Sequence, residues 1–219
     1  MNTKIFIYKS LSFKTMEKIR WFGHASFKLS GEKIIYIDPW KIQDEETADI
    51  ILISHSHYDH LSLEDIKKIT SQETDILITP DCQSKLRDVL GKVTLICPGK
   101  KYNIKNILIE TTPSYNINKK FHPRENDWVG FIINLNNNRV FYAGDTDNIP
   151  EIRNIKTDIA LIPISGTYVM DCKEAANLVN TMKPKIAIPY HYGDIVGTDQ
   201  DALKFKKLAK VPVEILKKQ

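Results

Sequence analysis

The chain has 219 residues, 42% of them apolar and 26% charged, with a formal net charge of +4. These fractions are ordinary for a soluble globular protein, and a chain of this length buries roughly 70% of the surface its unfolded form exposes. The charge is too mild to imply a polyanionic partner, no apolar run approaches the length of a membrane helix, and three widely spaced cysteines (Cys82, Cys97, Cys172) suggest neither a disulfide framework nor a cysteine zinc site.

Met1 to Thr15 lack the long apolar stretch and small-residue cleavage site of a signal peptide. Residues 1–16 read as an extension ahead of a natural start at Met16, or as an extra strand. Residues 17–219 read as one domain. Lys18–Trp21, Ser26–Leu29 and Lys33–Ile37 have strand character, with a turn at Ser30-Gly31-Glu32, and Asp38-Pro39 ends the third. Lys41–Ala48 reads as a loop. Ile50–Ile53 reads as a strand buried on both faces. Ser62 and Asp65 resemble a capping box for a helix with the stripe Leu63, Ile66, Ile69. Asp75–Thr79 is a strand, and Asp81 is expected to cap a helix through about Leu90, stopped by Gly91. Val93–Cys97 is a strand, and Tyr102–Glu110 is read as one strand with a polar interruption.

Thr111–Trp128 is irregular and longer than most connections. Phe131–Leu135 and Arg139–Ala143 form a hairpin around three asparagines. Asp158–Ile164 and Lys185–Pro189 are buried strands. Asp171 and Glu174 form a second capping pair for a helix to about Met182. A last helix spans about Asp199–Ala209, and Val211–Leu216 reads as an edge strand. The lysines near the C-terminus (204, 206, 207, 210, 217 and 218) read as a solvated helix face and tail, not a nucleic-acid patch. This pattern alone gives α/β or α+β.

The chemistry concentrates where the strand at 50–53 ends. Half of the six histidines fall within His55-Ser56-His57-Tyr58-Asp59-His60. His55 and His57, two apart, point the same way from extended backbone, and Asp59 and His60 follow a turn. Imidazole and carboxylate together suit zinc, iron or manganese.

This segment resembles the H-x-H-x-D-H signature of the metallo-β-lactamase-fold hydrolases. Further landmarks are Trp21–Phe27, Ile37-Asp38-Pro39, Tyr142–Asp147, Pro163–Gly166 and Pro189–Tyr192. They point nearest to the L-ascorbate-6-phosphate lactonase-like branch. The resemblance implies an α+β fold, a four-layer αββα sandwich with two divalent ions, Zn2+ or else Mn2+ or Fe2+, at one end. It implies Asp145 as a bridging ligand and His191 as completing a second site with Asp59 and His60; the bland alternatives are an ordinary turn and a core histidine. Related sequences carry a histidine directly after the strand that ends near Tyr115. Here that position holds Tyr115-Asn116, so His122 is the nearest candidate beside His55 and His57, with Asn116 as the alternative. His24 is read either as a hydrogen-bond partner of the site or as a strand-end residue. Tyr115, Tyr168 and Tyr192 are read as substrate contacts or as packing.

The implied reaction is hydrolysis by a water or hydroxide shared between ions about 3.5–4 Å apart, with Asp59 orienting it. The expected substrate is a small-molecule ester, lactone or phosphodiester, with no membrane span, a cytoplasmic location and the homo-oligomeric state open. The alternatives are a nuclease or phosphodiesterase acting on nucleic acid, and a non-catalytic or redox di-metal protein.

Overall fold

The computed structural model describes residues 18–43 and 46–219; the proposed extension at 1–16 lies outside them. The described strands form two six-stranded sheets, each following chain order. In the first, β1 (Ile19–Gly23), β2 (Ser26–Ser30) and β3 (Ile34–Ile37) run antiparallel, and β4 (Ile50–Ile53), β5 (Asp75–Ile78) and β6 (Lys92–Leu95) continue parallel to β3. In the second, β7 (Lys101–Ile104), β8 (Ile107–Pro113), β9 (Val129–Leu135) and β10 (Asn138–Tyr142) run antiparallel, and β11 (Ile159–Pro163) and β12 (Ile186–Tyr190) are parallel to β10. Among the described residues three α-helices accompany them: α1 (Leu63–Ile69), α2 (Cys172–Met182) and α3 (Asp199–Leu208).

Side-chain alternation along β4 explains the unbroken apolar run. Ile50 and Leu52 join the central core with Leu77, Phe131 and Val140, whereas Ile51 and Ile53 face outward onto Ile66 and Ile69 of α1. All four isoleucines of that outer contact are fully buried, each worth about 1.5–3 kcal/mol in transfer free energy. On the far side α2 buries Ala175, Leu178, Val179 and Met182, and α3 contributes Ala202 and Phe205. The layers are therefore helix, sheet, sheet, helix: an α+β sandwich of the αββα kind.

Both anticipated caps form. Ser62 Oγ accepts from Asp65 N, and Asp171 and Glu174 make a reciprocal box. Four segments differ from expectation. After Thr79 the chain makes only a 3-10 turn, Pro80–Lys85. Asp81 does not cap a helix because its carboxylate is taken by Thr79 Oγ1 (2.6 Å) and by the indole Nε1 of Trp128 (2.8 Å). The stretch Tyr102–Glu110 is a hairpin, not one strand: Lys105 and Asn106 both have left-handed backbone (φ 49° and 69°), closing a two-residue turn between β7 and β8. Val211–Leu216 makes an isolated bridge to Ala187 through Val213; Pro212 lacks the amide hydrogen that a ladder needs. The irregular connection also begins later than expected, because β8 runs on to Pro113.

The parallel strands β3, β4, β10, β11 and β12 send their C-terminal ends to the same edge of the sandwich, where the polar loops gather.

Candidate metal centre

Asp38, directly after β3, anchors this edge. It is fully buried and adopts left-handed backbone (φ 45°). Its Oδ1 accepts from Ser54 N (2.7 Å), and its Oδ2 accepts from Ser54 Oγ (2.5 Å), His60 Nδ1 (2.7 Å) and the Tyr142 hydroxyl (2.6 Å). A carboxylate can only accept, so His60 carries a proton on Nδ1. Since the Ser54 hydroxyl donates to Asp38, its contact with His55 Nδ1 (2.9 Å) is one in which His55 donates. Asp38 thus sets the orientation of two imidazoles at once and turns both Nε2 atoms inward.

His55 Nε2 lies 3.0 Å from His57 Nδ1. His122 joins them from the long connection. Its Nδ1 donates to the Tyr168 carbonyl (3.1 Å), and its Nε2 is buried without a hydrogen-bond partner, 3.2 Å from Asp145 Oδ2. Asn116 stands behind His122 and not in the cluster. Its Oδ1 accepts from His122 N (3.1 Å), and its amide donates to Asp147 and to the Tyr168 carbonyl. Trp128 walls this side, its ring 4.6 Å from His55 and 4.8 Å from His57.

Asp145 follows β10 through Gly144, whose φ of 70° makes the turn. Its Oδ2 is 2.9 Å from His191 Nε2, 3.2 Å from His122 Nε2 and 3.4 Å from His60 Nε2, and its Oδ1 has no partner. One oxygen therefore touches histidines from both halves of the cluster. His191, after β12, is turned by its contact with Ser165 Oγ (3.1 Å). Asp59 Oδ2 meets His24 Nε2 at 2.8 Å and His60 Nε2 at 3.7 Å. Ligand-type atoms of His55, His57 and His122, and separately of His24, Asp59, His60 and His191, lie within 4.8 Å of one another.

The electrostatics follow. Burial pushes His55 well below the usual imidazole range, lowers His57 and takes His24 to about 4. Burial also opposes charge on His60, yet the carboxylates of Asp145, Asp38 and Asp59 hold it well above the usual range. Against the same burial, His191 and His60 hold Asp145 well below the carboxylate range, and His60 and His24 do the same for Asp59. Buried, deprotonated carboxylates gathered around imidazoles form a site that favours a cation, a proton on His60 in the free centre or a metal ion in its place. The buried, unpartnered His60 Nε2, His122 Nε2 and Asp145 Oδ1 are what a divalent ion would satisfy, so the residues fit the implied metals.

Residues 18–191 match the beta-lactamase superfamily domain. The chain belongs to the metallo-β-lactamase superfamily. Within it, a UPF0173 metal-dependent hydrolase of Thermoplasma acidophilum is 34% identical over 88% of this chain and 90% of its own. A crystal structure from Parabacteroides distasonis, also of a protein named for metal-dependent hydrolysis, superposes with a TM-score of 0.80 at 32% identity, covering 92% of this chain and 93% of that one. A metallo hydrolase of Ignicoccus hospitalis, 22% identical, has the same fold (TM-score 0.72, covering 91% and 94%).

All three tyrosines make defined contacts within the protein. Tyr115 donates its hydroxyl to Glu151 (3.1 Å), and its backbone holds Thr146 and Asp147 beside Asp145. Tyr168 supports His122 through its carbonyl and packs its ring on Phe121 (4.6 Å). Tyr192 is buried against Trp21 (5.0 Å). Asp38, Ser54, Ser165 and the Asp81–Trp128 pair were not anticipated as site residues. Asp38 and Ser165 each left a signal, lying in the landmark segments Ile37-Asp38-Pro39 and Pro163–Gly166 at strand ends.

Proposed function

We propose that this chain is a binuclear metal-dependent hydrolase of a small-molecule ester, lactone or phosphodiester. The observation that carries the reading is Asp145 Oδ2, within 2.9–3.4 Å of His191, His122 and His60. In this reading His55, His57 and His122 would hold a first ion, Asp59, His60 and His191 would hold a second, and Asp145 would serve both. Zn2+ suits the nitrogen-rich set, with Mn2+ or Fe2+ next. When bound, such ions supply an acidified water and Lewis-acid charge for a developing oxyanion.

The chain's own residues do the rest. Asp38 and Ser54 keep the His60 and His55 lone pairs turned inward. Asp59, its side chain 13% exposed beside the exposed Tyr58, would orient a bound water. Trp128, against His55 and His57, and the buried Trp40, its ring 5.5 Å from His24, keep bulk water off both flanks. Tyr58, Ile117 and Phe121, each one or two residues from a metal ligand or from Asn116, are exposed apolar side chains, which suits a substrate with an organic body beside the scissile group. A lactone would agree with the ascorbate-6-phosphate lactonase-like branch. The reading takes residues 17–219 as one catalytic domain, and three free cysteines agree with a cytoplasmic location.

Metal analysis of the purified protein by plasma mass spectrometry, with turnover of p-nitrophenyl esters, lactones and bis-p-nitrophenyl phosphate, tests it. About two equivalents of metal and chelator-sensitive turnover of one class are expected. No metal after reloading would refute the reading, and salt-sensitive cleavage of DNA or RNA instead would move the substrate to nucleic acid.

A further inference from the structure

His24 sits in the two-residue connection between β1 and β2, where a turn is all that the fold requires. Its backbone is left-handed (φ 47°), directly after Gly23 at φ 105°. Asn or Gly meets that need without a large ring. The chain instead buries a complete imidazole here, with no exposure. Left-handed backbone recurs in this centre at Asp38 (φ 45°) and His191 (φ 64°), and such conformations cluster where a site dictates the geometry.

The ring makes two directed contacts. Nε2 lies 2.8 Å from Asp59 Oδ2, and since a carboxylate only accepts, His24 donates. The ring also lies against His191, centroids 4.0 Å apart, while the His24 carbonyl accepts from His191 N (2.9 Å) and from Trp21 Nε1 (3.0 Å). Asp59 needs such a partner. It rides on the turn after Tyr58, which is 68% exposed, and its own side chain is 13% exposed. Among the described residues His24 is its hydrogen-bond donor.

We infer that His24 is a positioning residue for the second metal, holding the Asp59 carboxylate by one hydrogen bond and the His191 ring by packing, so that both ligands are aimed before an ion arrives. This rests on the binuclear reading above. A donor on a ligating carboxylate removes its freedom to rotate into solvent, and removing partners of this kind costs ~10–100-fold in metal affinity.

The test is a Co2+ titration of wild type, His24→Asn and His24→Gln, followed by visible absorption and repeated with Zn2+ against a chromophoric chelator. Asn tolerates the left-handed turn but is too short to reach Asp59; the Gln amide nitrogen falls near the position of Nε2. The expected result is two sites in wild type, a ~10–100-fold loss confined to the second site with an altered Co2+ spectrum in His24→Asn, and recovery in His24→Gln. The unchanged first site shows that the variants are folded. Identical titrations for wild type and His24→Asn would overturn the inference and leave the binuclear reading standing. Equal loss at both sites that Gln does not restore would also overturn it, by assigning His24 to packing. A wild type that binds fewer than two ions would overturn both.

Discussion

Asp38→Asn is the sharpest perturbation of this centre, because it changes one oxygen to an amide without changing shape. The carboxylate receives Ser54 N on Oδ1 and three donors, Ser54 Oγ, His60 Nδ1 and Tyr142 OH, on Oδ2. Placing the amide at Oδ1 would set its hydrogens against Ser54 N–H at 2.7 Å, where the backbone cannot adapt. The amide therefore takes the Oδ2 position, with two hydrogens facing three former donors. The two hydroxyls can rotate and accept, and His60 can follow only by moving its proton from Nδ1 to Nε2. That tautomer removes the lone pair facing Asp59 and Asp145. One buried polar group left poorly paired costs about 1–3 kcal/mol, and for a domain of this size each kcal/mol lowers Tm by about 2–4 °C. The metal-free variant should therefore melt about 2–12 °C below wild type. Second-ion affinity should fall by ~10–100-fold. Circular dichroism melts and zinc competition titrations measure the two effects. An unchanged affinity together with an unchanged Tm would refute the role given to Asp38.

His122→Ala should lower bound metal from about two equivalents towards one by plasma mass spectrometry; an unchanged content would remove His122 from the first site. Chelation should lower Tm, since an ion present at 1,000 times its Kd stabilises the native state by about 4 kcal/mol; a melt indifferent to chelator would contradict a metal site of that affinity. Native alkylation followed by peptide mapping should label half-buried Cys97. Cys82, whose thiol burial raises to about 12, and buried Cys172, raised in the same way, should react only after denaturation. Gly130→Ala would bring a methyl within 2.6 Å of the Tyr142 carbonyl and 2.7 Å of the Ala143 carbonyl, opening the β9–β10 pair at a cost of about 1–3 kcal/mol. A wild-type melting curve would show that the strands part more easily than their packing implies.

The elements legible in the sequence are those whose causes are local. The Ile50–Ile53 run, the His55–His60 spacing and the Ser62 cap lie within fourteen residues of one another, so strand, ligand loop and helix can be read together from neighbouring side chains. The same is true of the Asp171–Glu174 box. Tertiary contacts decided the rest. Asp81 has the composition of a cap, but an indole 47 positions away claims its carboxylate. Tyr115 stands next to a predicted ligand position, yet Glu151, 36 positions on, draws its hydroxyl away. His122 and Asn116 are both credible donors in the sequence, and only the packing of the long connection turns one imidazole inward and sets the amide behind it. Asp38 gathers its donors from as far as Tyr142, 104 residues along the chain. Residue types and local periodicity specify which groups are present and which strand ends carry them. Which lone pair each group presents, and to what, depends on hydrogen-bond partners that only the closing of the two sheets brings together.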